Sequence, residues 1–195
     1  MRTFLFGNAK SKAQIIARIA VMLALTLLVQ YLTGLAKIQL LTGSFVNMFL
    51  LVTAMLCGMI GGITVGLITP FLGYWLQIAV LPDFRIVPFI GIANALLVAA
   101  FALITLLFKV AERKGILYIV FTVLAVVIAA AIKFLFMYFV CAKWLFLAFL
   151  PAQLAAALAG AAFGVLQLFT ALIGGGVATA LSIPLRKLSI FSAAE

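Results

Sequence analysis

The sequence predicts an all-α integral membrane protein, a single membrane domain over residues 1–195 with six transmembrane helices and both termini cytoplasmic. Three observations predict it. Hydrophobic residues make up 69% of the chain and charged ones 8%, with a mean hydropathy of +1.44, where a soluble domain carries roughly 25% charged residues. Apolar runs of spanning length follow one another with short connections, which leaves no independent aqueous domain. The Lys and Arg residues gather at the ends of those runs, so the net charge of +10 marks membrane borders and not a nucleic-acid surface.

The first helix is expected over about 13–35. Arg2, Lys10, Lys12 and Arg18 lead into it in the charge order of a signal peptide, but the apolar run is long enough to span. The second and third helices, about 44–60 and about 62–80, are separated by the uncharged string Cys57-Gly58-Met59-Ile60-Gly61-Gly62, which predicts a tight hairpin. The fourth covers about 87–108 and the fifth about 115–140. The apolar stretch from Leu150 to Leu185 exceeds one span. Pro151 and Gly160 divide it into a short outer-side or re-entrant segment and a sixth helix over about 163–183, with one long tilted helix as the alternative.

Alternating helices place Arg2, Lys10, Lys12, Arg18, Lys109, Arg113, Lys114, Arg186 and Lys187 on one side, against Lys37, Arg85 and Lys143 on the other. The first side is therefore cytoplasmic, and the connections after the first, third and fifth helices face out.

The absences are equally informative. There is no His, and the acids are Asp83, Glu112 and Glu195, all in connections or at the terminus. A proton relay in the membrane, a carboxylate pair, a metal site and a nucleophile with its base all lack their residues, so neither enzyme chemistry nor a metal or other cofactor is expected. Cys57 and Cys141 have no metal-ligand spacing. No Gly-x-x-x-x-Gly-Lys-[Ser/Thr] loop exists, so uphill transport requires a partner that supplies the energy.

Two features stand out. Ala13, Ala17, Ala20 and Ala24 fall on one face of the first helix, a flat strip on which another helix packs closely, either a partner's or one from the chain's own bundle. Lys133 lies about two turns below the outer end of the fifth helix, where a lipid-facing ammonium is costly, so it is expected to face a cavity or to snorkel to the interface. At similar depth stand Asn47 and Asn94, with Trp75, Gln77 and Gln167 near the outer ends of their helices. Together they form a candidate pocket for a small organic ligand bearing a carboxylate or several hydrogen-bonding groups, unless the amides only bridge helices. Lys37, Gln39, Thr42, Arg85 and Lys143 in the outer connections are its candidate lid, although Asp83 with Arg85 reads equally as a solvated pair and Trp144 as an interfacial anchor.

In length, helix count, the alanine strip and the segments Leu41-Thr42-Gly43-Ser44-Phe45-Val46-Asn47 and Val87-Pro88-Phe89-Ile90-Gly91-Ile92-Ala93-Asn94-Ala95, nearly the whole chain resembles the substrate-binding S components of energy-coupling factor (ECF) transporters. The resemblance implies a prokaryotic plasma-membrane protein that captures a vitamin or micronutrient near the outer face. It implies that the alanine face meets the coupling helices of a transmembrane T subunit, and that two cytoplasmic ATPases act through that subunit while the loaded protein topples. No thiamine, riboflavin, biotin or metal signature is present, and Lys133 favours an anionic or carboxylate-bearing vitamin or precursor. Two other classes compete: a partner-independent carrier or channel, and a membrane scaffold.

Overall fold

The computed structural model describes residues 11–36, 38–78, 81–160 and 163–187. Arg2, Lys10, Lys37, Glu195 and the last two residues of the expected third helix lie outside them. The described residues are helical with short connections and no strand. They form α1 (Lys12–Gly34), α2 (Gln39–Trp75), α3 (Val87–Leu107), α4 (Gly115–Leu135), α5 (Phe146–Phe149), α6 (Ala152–Gly160) and α7 (Val165–Lys187). Five stretches are long and apolar enough to cross a membrane: Lys12–Gly34, Gln39–Trp75, Phe84–Leu107, Gly115–Phe149 and Ala152–Arg186.

Local chemistry sets the element starts. Ser11 caps α1 by accepting the Gln14 N–H at 3.2 Å, which satisfies one of the helix's orphan donors. Asp83 accepts the Arg85 N–H at 2.8 Å and opens a single 3₁₀ turn, Phe84–Ile86, that leads into α3. Pro88 sits in the first turn of α3, where its missing N–H costs nothing.

The expected second and third helices are joined as α2, 37 residues that would extend about 55 Å if straight. They are not straight. At Gly58 the backbone leaves the helical region (φ 76°, ψ 176°), a conformation open essentially only to glycine. A Cβ placed on Gly62 would lie 3.0 Å from the Cβ of Ala54, eight residues earlier and about 12 Å away in a straight helix. The chain therefore doubles back within the uncharged string, and the arms before and after Gly58 pack on each other. The first arm also begins earlier than the sequence pattern predicts, so Gln39 and Thr42 are helical and not loop residues.

One further boundary differs from expectation. The fifth helix does not stop near 140: α4 passes into a ten-residue π-helix, Phe136–Leu145, and then α5, which puts Lys143 and Trp144 on a helix. A wider helical turn leaves hydrophobic periodicity without a break to mark it. The short segment after Pro151 is α6, and α7 begins at Val165.

The arms of α2 form the centre, packed by α1, α3 and α7, with α4 bridging α3 and α7. Leu50, Leu51, Val65, Leu97, Val98, Ala125 and Ala129 are fully buried there. A second, aromatic cluster surrounds Phe146, whose ring meets Phe163 at 4.8 Å, Phe149 at 5.7 Å and Phe89 at 6.0 Å. It braces the end of the bundle at which α1 finishes and α2 starts, hereafter the cavity end. At the opposite, basic end, the Arg186 guanidinium donates to the carbonyls of Ala111 (2.7 Å) and Arg113 (3.2 Å) and lies 4.0 Å from the centre of the Tyr118 ring, tying α7 to the α3–α4 connection.

Candidate functional site

A cavity of about 550 Å³ opens at the cavity end, within the range of small-molecule sites. The last turns of α1, the start of α2, Pro70, Ile90 of α3, Met137 and Phe163 supply most of its wall. Its polar groups are few and converge on Lys133.

Lys133 is 97% buried, and its Nζ donates to Asn47 Oδ1 at 2.7 Å and Asn94 Oδ1 at 2.8 Å. Each amide is oriented from behind. Asn47 Nδ2 donates to Thr170 Oγ1 (3.2 Å), and Thr170 in turn donates to the Gln167 carbonyl (3.1 Å). Asn94 Nδ2 donates to the carbonyl of Gly66 (3.3 Å), which is reachable because Gly66 has no side chain: a Cβ there would sit 3.1 Å from that of Asn94. With their N–H groups engaged elsewhere, both amides turn oxygen toward the ammonium. Both branches of the resulting network, through α2 and α7 and through α3 and α2, fix a cation where hydrocarbon would otherwise exclude it.

No carboxylate among the described residues lines the cavity. Asp83 is held by Arg85, whose Nη2 donates to Oδ2 at 2.7 Å and whose Nε lies 3.1 Å from both oxygens. Those hydrogen bonds hold the Asp83 carboxyl below the usual carboxylate range. The ammonium of Lys133 therefore has dipoles around it and no counter-ion among the described residues.

Of the residues expected from sequence to bind substrate, Asn47, Asn94, Lys133 and Gln167 share this wall, and Gln39 and Thr42 join them at the mouth. The other four do not line the cavity. Trp75 ends α2 at 67% exposure, and Gln77 follows it in a left-handed turn (φ 55°), also exposed. Arg85 is engaged with Asp83 and lies 5.2 Å from the Phe149 ring centre. Lys143 is exposed on the π-helix, with its ammonium 5.3 Å from the Tyr138 ring centre. Sequence gives depth along a helix but not its rotation at a frayed or π-wound end.

Gln30 and Thr170 were not foreseen. Gln30 lies on α1, one turn before Gly34, which also lines the cavity, and its amide is buried. Its spacing from the alanine strip puts it on a different side of the helix, the only signal in the sequence that pointed to it.

The alanine strip behaves in the opposite way. Ala13, Ala17, Ala20 and Ala24 are all exposed, as are Ile16 and Val21 between them. None of the described residues of the chain's own bundle covers this face.

Apolar helices of spanning length around a polar-bottomed cavity define a multi-pass membrane protein built to hold a small molecule. Residues 14–186 match the family model for the substrate-specific component of ECF transporters, and the chain belongs to that family. Neither the curated proteins nor the solved structures contain a match. Family membership makes it a substrate-binding subunit for transport.

Proposed function

We propose that this chain is the high-affinity capture subunit of an ECF-type importer for a vitamin or similar micronutrient, a small organic molecule bound at the outer face of a prokaryotic plasma membrane. The observation that carries the reading is Lys133, buried at the base of the cavity on a preorganised pair of amides with no acidic partner. An open cavity lets a buried lysine reach water, and the pair of amides already oriented around this one favours a ligand anchor over a merely hydrated charge.

In this reading the two arms of α2 are separate spans, which with α1, α3, α4 and α7 makes six, and both termini are cytoplasmic. The charge distribution supports it: Lys12, Lys109, Arg113, Lys114 and Arg186 belong to the basic end, opposite the cavity. The outward alanine strip receives a transmembrane T subunit, and two ATPases supply the energy for release. Small side chains allow close backbone approach, which matters in a bilayer where apolar burial alone drives no association.

The test is co-expression with candidate T subunit and ATPases. Wild type should bring all three down together, and Ala17→Leu with Ala20→Leu should lose them while keeping its fold. Uptake by the isolated chain in liposomes, surviving ATP depletion and the leucine changes, would establish a partner-independent carrier instead.

A further inference from the structure

The cavity contains a second polar group with nothing to do. Gln30 is 91% buried, and its Oε1 has no hydrogen-bond partner among the described residues. Burying an amide oxygen unpaired costs about 1–3 kcal/mol, so such groups occur where something else completes them. Gln30 reaches the cavity from α1, and Lys133 from α4. Between and around them the wall is mainly apolar: Val46, Pro70, Ile90, Met137 and Phe163.

Counting charges and donors narrows the occupant. Two of the three N–H bonds of Lys133 are taken by Asn47 and Asn94, leaving one for a ligand. Among the described residues the wall holds one cation and no acid, which matches a single negative charge. A phosphate, with up to two charges and more oxygens than the wall has positive donors, would stay under-compensated in an apolar enclosure. A cationic ligand would set two positive charges together.

We propose that the cavity recognises its substrate at two points, a single carboxylate bound by Lys133 and a neutral hydroxyl or amide bound by the side-chain amide of Gln30, on one apolar body. This rests on the reading of the chain as a substrate-capture subunit, and it assigns Gln30 as a specificity-determining residue.

The experiment exposes the detergent-purified full-length chain to a small-molecule extract of bacterial cells. Retained compounds are identified by mass spectrometry before and after methyl esterification. The proposal expects a retained compound that gains one methyl ester. Gln30→Met should lower retention about fivefold, the effect of one neutral hydrogen bond. Gln30→Glu should lower it tenfold or more, on the order expected for like charges in an enclosed site. Gln30 Oε1 has no hydrogen-bond partner among the described residues for either variant to remove, and thermal unfolding of each checks the fold. A retained compound with no carboxylate or with several, undiminished retention by Gln30→Glu, or retention of nothing overturns the proposal. Co-purification of wild type with T subunit and ATPases is measured on the same preparation. Its failure removes the capture-subunit reading, and its success with a wrong ligand removes only the two-point inference.

Discussion

The two ends of the bundle use the same helices for opposite purposes. Toward the basic end, the arms of α2 close on each other at Gly58 and on α3 and α1, with small residues filling the contacts: a Cβ on Gly62 would lie 2.7 Å from Val98 Cγ1 of α3, and one on Gly61 3.4 Å from Ile19 Cγ1 of α1. Toward the cavity end the helices stand apart, and the gap is lined by amides, a lysine and apolar side chains that include Phe163. Close packing supplies van der Waals cohesion that lipid tails do not replace, and it lets the other end afford a buried charge. Binding is expected to reside at one end and stability at the other, and substitutions can break that division.

The largest effect is expected at the ammonium. Lys133→Met removes a charge-assisted anchor worth about 1.5–3 kcal/mol, so ligand retention should fall by roughly ten- to hundredfold. The thermal midpoint should change little, because the desolvation cost relieved by removing the charge is offset by the Asn47 and Asn94 oxygens left without their donor. A collapse in stability with unchanged retention would reverse the roles of the two ends. Next comes the outward face of α1: Ala17→Leu with Ala20→Leu should reduce recovery of partner subunits about tenfold in pull-downs, with ligand retention unchanged. Gly58→Ala should show the converse pattern, lowering stability by about 1–3 kcal/mol through backbone strain while sparing ligand affinity in whatever fraction folds. Thr170→Val takes the support from behind Asn47 and should weaken binding about fivefold.

The smallest effect is expected at Asp83. Its carboxyl titrates lower in the folded chain than in the unfolded one, so its contribution is present above the ordinary carboxylate range and fades as pH falls through the depressed value. Thermal unfolding of wild type and Asp83→Asn should converge in that acid window. Because the pair is solvent-exposed, the gap at neutral pH should be small and shrink with added salt.

Much of this division could be read from residue order. Hydrophobic runs located the spans, and the glycine string located the reversal. Burial cost alone drew attention to Lys133, because few residue types are so expensive in a membrane. Asn47 and Asn94 followed from equal depth, which survives translation into three dimensions when the helices are regular. Trp75, Gln77 and Lys143 did not, since each sits where the chain leaves the α-helical repeat: at the end of α2, just past it, or on the π-helix, where 3.6 residues per turn no longer predicts direction. Arg85 was lost to a neighbour two residues away, a local competition that spacing does not rank. Gln30 was hidden by its own helix, whose alanines gave a complete account of one face and left the others unread.

That helix has a geometric consequence. From Ala24 to Gln30 is six residues, about 9 Å along the axis and about 120° around it. The proposed docking strip and the cavity wall thus diverge on one stiff rod, and no single residue serves both. Substitutions can separate the two activities, but a displacement cannot: a ligand that shifts the rod at Gln30 re-aims the strip. By thermodynamic reciprocity, a partner that clamps the strip must then alter ligand affinity by the same factor.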